Sequence, residues 1–256
     1  MIHATAIVDP GAKLGKDVTV GPYSIIGPDV TIGGHCDIGP HVVIRGETVI
    51  GDNNRFFQFS SIGEDCQDKK YNGESTRLEI GNNNIFREFV TVHRGTIQDQ
   101  AVTVIGNDNL FMNYAHIAHD CVVKNNCVVA NGSQVAGHVH IGEGAIVGGG
   151  CAIHQFCKIG DYAMLGGGTV LLKDVPAFVL VQGYPAAAHG MNYEGMKRRG
   201  YSKELINTLR NAYKLVYRKS TRLQNALIEL QSWEDESGEI KRFSDSIVNS
   251  SRGIVR

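Results

Sequence analysis

Along most of this chain an apolar residue recurs at every sixth position. Stepping from Ile2 reaches Val8, Leu14, Val20, Ile26, Ile32, Ile38, Ile44, Ile50, Phe56 and Ile62. The beat lapses through a polar excursion at about 64–79 and resumes at Ile80, Phe86 and Val92. It slips by one residue across a second excursion at 94–104, then holds from Ile105 to Leu171. Two positions ahead of these residues stands a small or β-branched one, as at Ala12, Val18, Ser24, Cys36, Ala115, Cys121, Cys127, Cys151 and Ala163. An amphipathic helix repeats near 3.6 and a simple strand at 2, so neither produces a period of six. Hexads of this kind build a parallel β-helix, with three short strands and three turns per coil and the aliphatic residue pointing into a narrow prism. One coil is then about 18 residues, and 1–188 holds roughly nine or ten of them. Stacked about 4.8 Å apart, they form a prism on the order of 45 Å long.

Beyond 188 the hexad vanishes and helical spacing begins. Ser202 is placed to cap a helix carrying Leu205, Ile206, Leu209, Ala212, Tyr213, Val216 and Tyr217. Thr221, with Gln224 three residues later, reads as a capping box ahead of Ala226, Leu227 and Leu230. The expected division is a mainly β prism over 1–188 and an α-helical domain over 189–256 that covers its open end.

Composition narrows the function classes. Lys and Arg number 25 against 26 Asp and Glu, so no sequence-independent attraction to nucleic acid or an anionic membrane is expected. The opening residues lack a basic and then apolar leader, and no run approaches the roughly 20 apolar residues of a spanning helix. A cytoplasmic protein without membrane insertion is expected. The six cysteines contain no CxxC pair, and their hexad phase marks them as interior fillers rather than ligands.

The coil converts spacing into geometry, because residues 18 apart stack on one side. His119, Gly137 and Gln155 form one column, and Asp120, His138 and His154 share its ledge. A second column, Asn131, Gly149 and Gly167, is nearly bare of side chains. It is either a smooth groove for an apolar chain or merely turn geometry, since glycine serves both. Within "HIAHDC" (116–121), His119 followed by Asp120 suits a general base with a supporting carboxylate. Zinc is the other use of such histidines. His116 and His119 are separated by an interior residue, however, and a third ligand is expected to come from across a subunit boundary, so a metal-free reaction is expected.

The runs "QDKKYNGESTRLEIG" (67–81), "VTVHRGT" (90–96), "NYAHIAHDC" (113–121), "VAGHVHIG" (135–142), "HQFCKIG" (154–160) and "NYEGMKRRGYS" (192–202) resemble the acyl-carrier-protein-dependent UDP-N-acetylglucosamine O-acyltransferases of lipid A biosynthesis. The likeness spans essentially the whole chain. It implies a cytoplasmic homotrimer of left-handed β-helices with sites between subunits. It also implies transfer of a 3-hydroxyacyl group from acyl carrier protein to the 3-hydroxyl of UDP-N-acetylglucosamine, with no cofactor beyond the phosphopantetheine arm that carries the donor. By the same resemblance His119 is the base, Asp120 its partner, and the Gly137 N–H the oxyanion donor. His116, His138, His154 and Gln155 position sugar and acyl groups. Asp68, Lys70, Asn192, Glu194, Arg198 and Arg199 hold nucleotide sugar, pantetheine or carrier protein. Tyr184 and His189 depart from the residues usual in that family.

A coenzyme A-dependent acetyltransferase, an N-acyltransferase of the same pathway and an ice-binding β-helix are the competing classes. The last would show flat outward ranks of Thr or Ser, whereas this chain clusters His, Asp, Gln and Asn in a few coils. The absence of GxSxG agrees with direct attack on an already activated thioester.

Overall fold

The computed structural model describes residues 1–219, 221–233 and 236–256. Strands of mostly two residues wind into three parallel sheets. The first face runs from Ile7–Val8 to Val170–Leu171 in nine strands, and the second from Lys13–Leu14 to Lys158–Ile159 in eight. The third runs from Thr19–Val20 to Ala187–Met191 in ten. In regular coils the register is 18, as in Ile117↔Val135↔Ile153. The fold is a left-handed parallel β-helix. Its last pair, Val179–Gln182 with Ala187–Met191, is antiparallel, so the final strand runs through the division expected at 188/189.

The hexad residues fill the prism. Ile44, Ile62, Phe86, Phe111, Val135, Leu165 and Leu171 are fully buried, and Phe56, Phe86 and Phe111 stack at 4.7 and 4.8 Å. The small position ahead of them does a second job. Ser24, Cys36, Cys121, Cys127, Ser133 and Cys151 each donate to a carbonyl 15 residues on. In three coils that position is asparagine. Asn84 donates to Asn54 Oδ1, the Asn109 N–H to Asn84 Oδ1, and the Cys127 N–H to Asn109 Oδ1, so the buried amides form a ladder.

Corners close in the left-handed backbone region. Asp17, Tyr23, His41, Phe59, Phe89, Tyr114, Asp120, His138 and Phe156 all have φ between 55 and 65°. The repeating ladder on both sides holds these conformations, each of which costs a non-glycine residue about 1–2 kcal/mol. Stacking them puts Tyr23, His41, Phe59, Phe89 and Tyr114 ring on ring along the corner between the third and first faces.

Both excursions leave from a different corner, between the first and second faces. Ile50 pairs with Ile80 and Ile80 with Ile105, so these two coils hold 30 and 25 residues instead of 18. The one-residue slip is thus a seven-residue insertion. Irregular backbone is confined to 65–76 and 94–101, narrower than 64–79 and 94–104. Arg77–Ile80 and Val102–Ile105 already pair as strands, with Leu78 and Thr103 turned inward.

Four helices follow: α1 (Tyr193–Arg198), α2 (Lys203–Tyr217), α3 (Leu223–Gln231) and α4 (Glu239–Val248). Ser202 caps α2 by accepting the Leu205 N–H. The capping box at Thr221 does not form. Arg222 is the N-cap of α3 and makes no side-chain cap bond, which leaves Gln224 one position too early to close the box. Asp161 binds the Arg242 guanidinium of α4, and Asp174 accepts from Ser250, Ser251 and Arg252, tying the helices to the last coils.

Candidate active site

The ledge lies at the corner that carries the two insertions. His119 and Asp120 are the corner residues after strand His116–Ile117, and Gly137 and His138 repeat them one coil on. His119 Nδ1 lies 2.9 Å from Asp120 Oδ2, and the Asp120 side chain is 0% exposed. The imidazole lies against Gly137, where a Cβ would sit 2.5 Å from both Cε1 and Nε2. With Nδ1 on the carboxylate, Nε2 is the nitrogen left to meet a proton.

Thr96, from the 94–101 insertion, seats Asp120. Its backbone N–H lies 3.0 Å from both carboxylate oxygens and its hydroxyl donates to Oδ2 at 2.6 Å. The Thr103 hydroxyl accepts the Asp120 N–H. Burial pushes the Asp120 carboxyl up, but the hydrogen bonds from His119 and Thr96 and the nearby His138 outweigh it, so its pKa falls below the ordinary carboxylate value.

His138 is held from several sides. Its Nδ1 is 2.8 Å from Asp99 Oδ2 and 3.9 Å from Asp120 Oδ2, its face stacks on Phe156 at 4.3 Å, and its ring meets His119 edge-on. His116 bonds Thr91 Oγ1 at 2.8 Å and lies edge-on to His93. Burial, with help from His93 and His119, brings the His116 pKa down to about 4, and burial likewise lowers His93. Both are neutral at pH 7.

Sequence spacing brings His116, His119, Asp120, Gly137 and His138 together. His154 and Gln155 sit one coil further, exposed, with His154 Nδ1 on the Gln155 carbonyl. Thr96, Asp99 and His93 are the residues it misses. All three reach the ledge from or beside an insertion that has no period to read. Asp68 and Lys70 belong to the 65–76 loop, which is fastened to the ledge corner by Arg94 bonding Gly63, Asp65 and Tyr71. Lys70 is exposed there, its N–H on Asp68.

The remaining expected residues lie elsewhere on the chain. Asn192 is buried and spends its amide on the Gly195 N–H and the Tyr162 carbonyl, capping α1. Arg199 binds the Gly144 carbonyl over the Tyr162 ring, Glu194 pairs with Lys197, and Arg198 is exposed. These four residues line a cleft of about 1070 Å³ against Ile146, Met164 and Leu180 of the third face. Asn131, Gly149 and Gly167 form a bare, exposed strip on the corner between the third and first faces. The first face therefore separates the strip from the ledge.

His119, Asp120 and His138 bring potential ligand atoms within 4.8 Å of one another. A cluster of three thus exists within one chain, contrary to the expectation that the third ligand comes from across a subunit boundary, because positions 120 and 138 stack one coil apart. His116 is not in it. The Asp120 oxygens already accept three hydrogen bonds from Thr96 and one from His119, so the cluster is built as a hydrogen-bonded dyad rather than an open ligand set. All six cysteines are free and buried, and burial pushes Cys121 and Cys127 up to about 12. They are poor nucleophiles.

The bacterial transferase hexapeptide family (six repeats) matches residues 1–34, 11–46, 103–137 and 138–173. The UDP-N-acetylglucosamine O-acyltransferase family, domain 2, matches 174–255. The acyl-(acyl-carrier-protein)–UDP-N-acetylglucosamine O-acyltransferase of Stutzerimonas stutzeri is 55% identical over 256 residues, covering 100% of this chain and 99% of its own. The structure of LpxA from Acinetobacter baumannii is similar with a TM-score of 0.97 at 54% identity, covering 100% and 99%. That of the Arabidopsis UDP-N-acetylglucosamine acyltransferase has a TM-score of 0.84 at 32% identity, covering 100% of both chains. Matched along its full length in both sequence and coil geometry, the chain belongs to the acyl-(acyl-carrier-protein)–UDP-N-acetylglucosamine O-acyltransferase family.

Proposed function

We propose that the His119 ledge is where this enzyme transfers a 3-hydroxyacyl group from acyl carrier protein to the 3-hydroxyl of UDP-N-acetylglucosamine, the first step of lipid A biosynthesis. The observation that carries the reading is the buried Asp120 carboxylate on His119 Nδ1, with the imidazole laid against the Gly137 backbone. Nε2 takes the proton of the sugar hydroxyl as that oxygen attacks the thioester carbonyl carbon. The carbonyl oxygen becomes an oxyanion that accepts the Gly137 N–H. Collapse forms the ester and expels the pantetheine thiolate, which receives the proton from His119. Atoms and charge balance with no cofactor beyond the donor's own phosphopantetheine arm.

His116, His138, His154 and Gln155 position the sugar and acyl groups, and Asp68 and Lys70 border the same corner. Glu194, Arg198 and Arg199 line the other cleft, where the two arginines supply charge for the phosphates of nucleotide sugar or pantetheine or for the carrier protein, and Asn192 fixes the start of α1 that presents them. Ledge, cleft and glycine strip lie on different parts of one prism, which supports a homotrimer whose sites form between neighbours. The stacked, partly exposed rings of Tyr23, Phe59, Phe89 and Tyr114 are the kind of apolar strip that a subunit boundary covers. A cytoplasmic location is part of this proposal; no helix among the described residues is long and apolar enough to cross a membrane.

The test is to incubate the protein with UDP-N-acetylglucosamine and a 3-hydroxyacyl carrier protein and follow ester formation by mass. Product acylated on the 3-oxygen is expected. Transfer from acetyl-coenzyme A in preference to the carrier protein would replace this reading with an acetyltransferase.

A further inference from the structure

The Asp120 side chain is wholly buried and bonded to His119, so its carboxylate is out of reach of a substrate arriving from solvent. What holds this carboxylate therefore sets where the imidazole points. Three of the four hydrogen bonds on its oxygens come from Thr96, and the fourth from His119 itself. Thr96 is itself buried, and its carbonyl accepts the N–H groups of Asp99 and Ala101, which folds the insertion into a tight turn. The same turn thereby presents Asp99 to His138. We propose that Thr96 is a positioning residue of this reaction, and that the 94–101 insertion exists on this corner to carry it. The proposal rests on His119 being the base.

The two Thr96 groups act differently. The backbone N–H is bifurcated over both oxygens and fixes the carboxylate plane, whereas the hydroxyl competes with His119 for Oδ2 alone. Removing the hydroxyl leaves His119 as the main side-chain donor to that oxygen. The carboxylate then turns toward the imidazole, and the base holds a proton more tightly. Other charged or titratable groups facing the dyad are His93 and His116 from the first face, His138 with its partner Asp99, Cys66 of the first insertion and Cys121 of the same coil. None of them offers Oδ2 a replacement hydroxyl.

The experiment compares wild type, Thr96→Val, Thr96→Ser and His119→Ala on carrier-protein donor and nucleotide sugar. Oligomeric state and melting are followed in each case. Thr96→Val keeps the side-chain volume and the backbone N–H. Its kcat is expected to fall about 10–100-fold, the rate equivalent of one hydrogen bond to a charged group, with KM nearly unchanged. The acid limb of its kcat/KM profile is expected to move to higher pH. Thr96→Ser restores the hydroxyl and is expected to recover both rate and limb. Wild-type rate and limb in a folded Thr96→Val would overturn the proposal. So would equal loss in Val and Ser, which would assign Thr96 to packing. Should Thr96→Val not fold, the Ser variant decides: wild-type behaviour with its hydroxyl intact supports the proposal, and loss overturns it. Near-normal turnover by His119→Ala would instead remove the base assignment on which the proposal stands.

Discussion

His119 rests its ring on the backbone of Gly137, leaving no room for even a methyl group between them. Gly137 has no positive φ, unlike Gly132 at the preceding corner of the same coil, so conformational freedom is not what selects glycine here. Space is. Gly137→Ala keeps the N–H proposed to bind the oxyanion but pushes the imidazole off its seat. A displacement of about 1 Å costs on the order of 10²-fold in rate, so kcat is expected to fall by that much in a folded protein. Wild-type turnover by the variant would show that the ring has another productive position.

Replacing the proposed base tests the chemistry. His119→Ala is expected to lose about 10²–10⁴-fold in kcat while its melting temperature changes little, since the ring lies outside the packed prism. Asp120→Asn is expected to cost less in rate, and steady-state kinetics on both variants checks the order. If the asparagine variant is the more damaged, the carboxylate has a task beyond supporting His119.

Acid stability should carry the signature of His116. Its folded pKa of about 4 lies below the ordinary value of about 6.5. Between these values the unfolded chain binds more protons than the folded one, so stability falls as pH falls across the window and is unaffected by this group above it. Urea midpoints measured from pH 7 to pH 4.5 are expected to decline, and His116→Gln to flatten that decline by up to one proton. Parallel curves for the two proteins would contradict the assignment.

The asparagine ladder makes a stability prediction. Asn84→Ala removes the acceptor of the buried Asn109 N–H and the donor to the Gly106 carbonyl. An unsatisfied buried polar group costs about 1–3 kcal/mol. A loss of about 2 kcal/mol or more is therefore expected by denaturant titration, with activity at low temperature retained. An unchanged midpoint would mean that the ladder closes around the gap.

The glycine strip is tested by filling it. A Cβ at Gly167 meets nothing nearer than the Gly149 carbonyl at 3.4 Å, so Gly167→Met is accommodated and projects outward. If the acyl chain lies there, the methionine displaces several methylenes, each worth about 0.8 kcal/mol. Preference by kcat/KM among 3-hydroxyacyl donors of ten, twelve and fourteen carbons is expected to shift toward the shortest. An unchanged ranking would leave the strip as turn geometry.

The prism was legible because a repeat writes its own register: Ile117, Val135 and Ile153 announce both the inward side and the 18-residue coil. The same arithmetic brought His119 to Gly137 and Asp120 to His138. It could not bring Thr96 to Asp120. They are 24 residues apart, and the interval includes an insertion whose shape depends on its own turn and not on the period. Asn54, Asn84 and Asn109 were unreadable for another reason. The interior position ahead of each hexad residue admits any small group that can bond a neighbouring coil, and only packing shows that an amide serves. The helix at Leu223 starts one residue later than its local capping signal, which tertiary contacts override.

Both insertions leave from the corner that holds the ledge, and the turns at the other two corners keep their length through the enlarged coils, as in the equal steps from Ile50 to Arg55, Ile80 to Ile85 and Ile105 to Leu110. Each coil closes before the next begins, so residues added at one edge leave the spacing along the opposite edges intact. The molecule resembles a graduated rod with tools fixed along one side. Lengthening or rewriting a tool alters what is gripped, while the graduations stay true. Reactivity and measurement are thereby open to separate inheritance within a single chain.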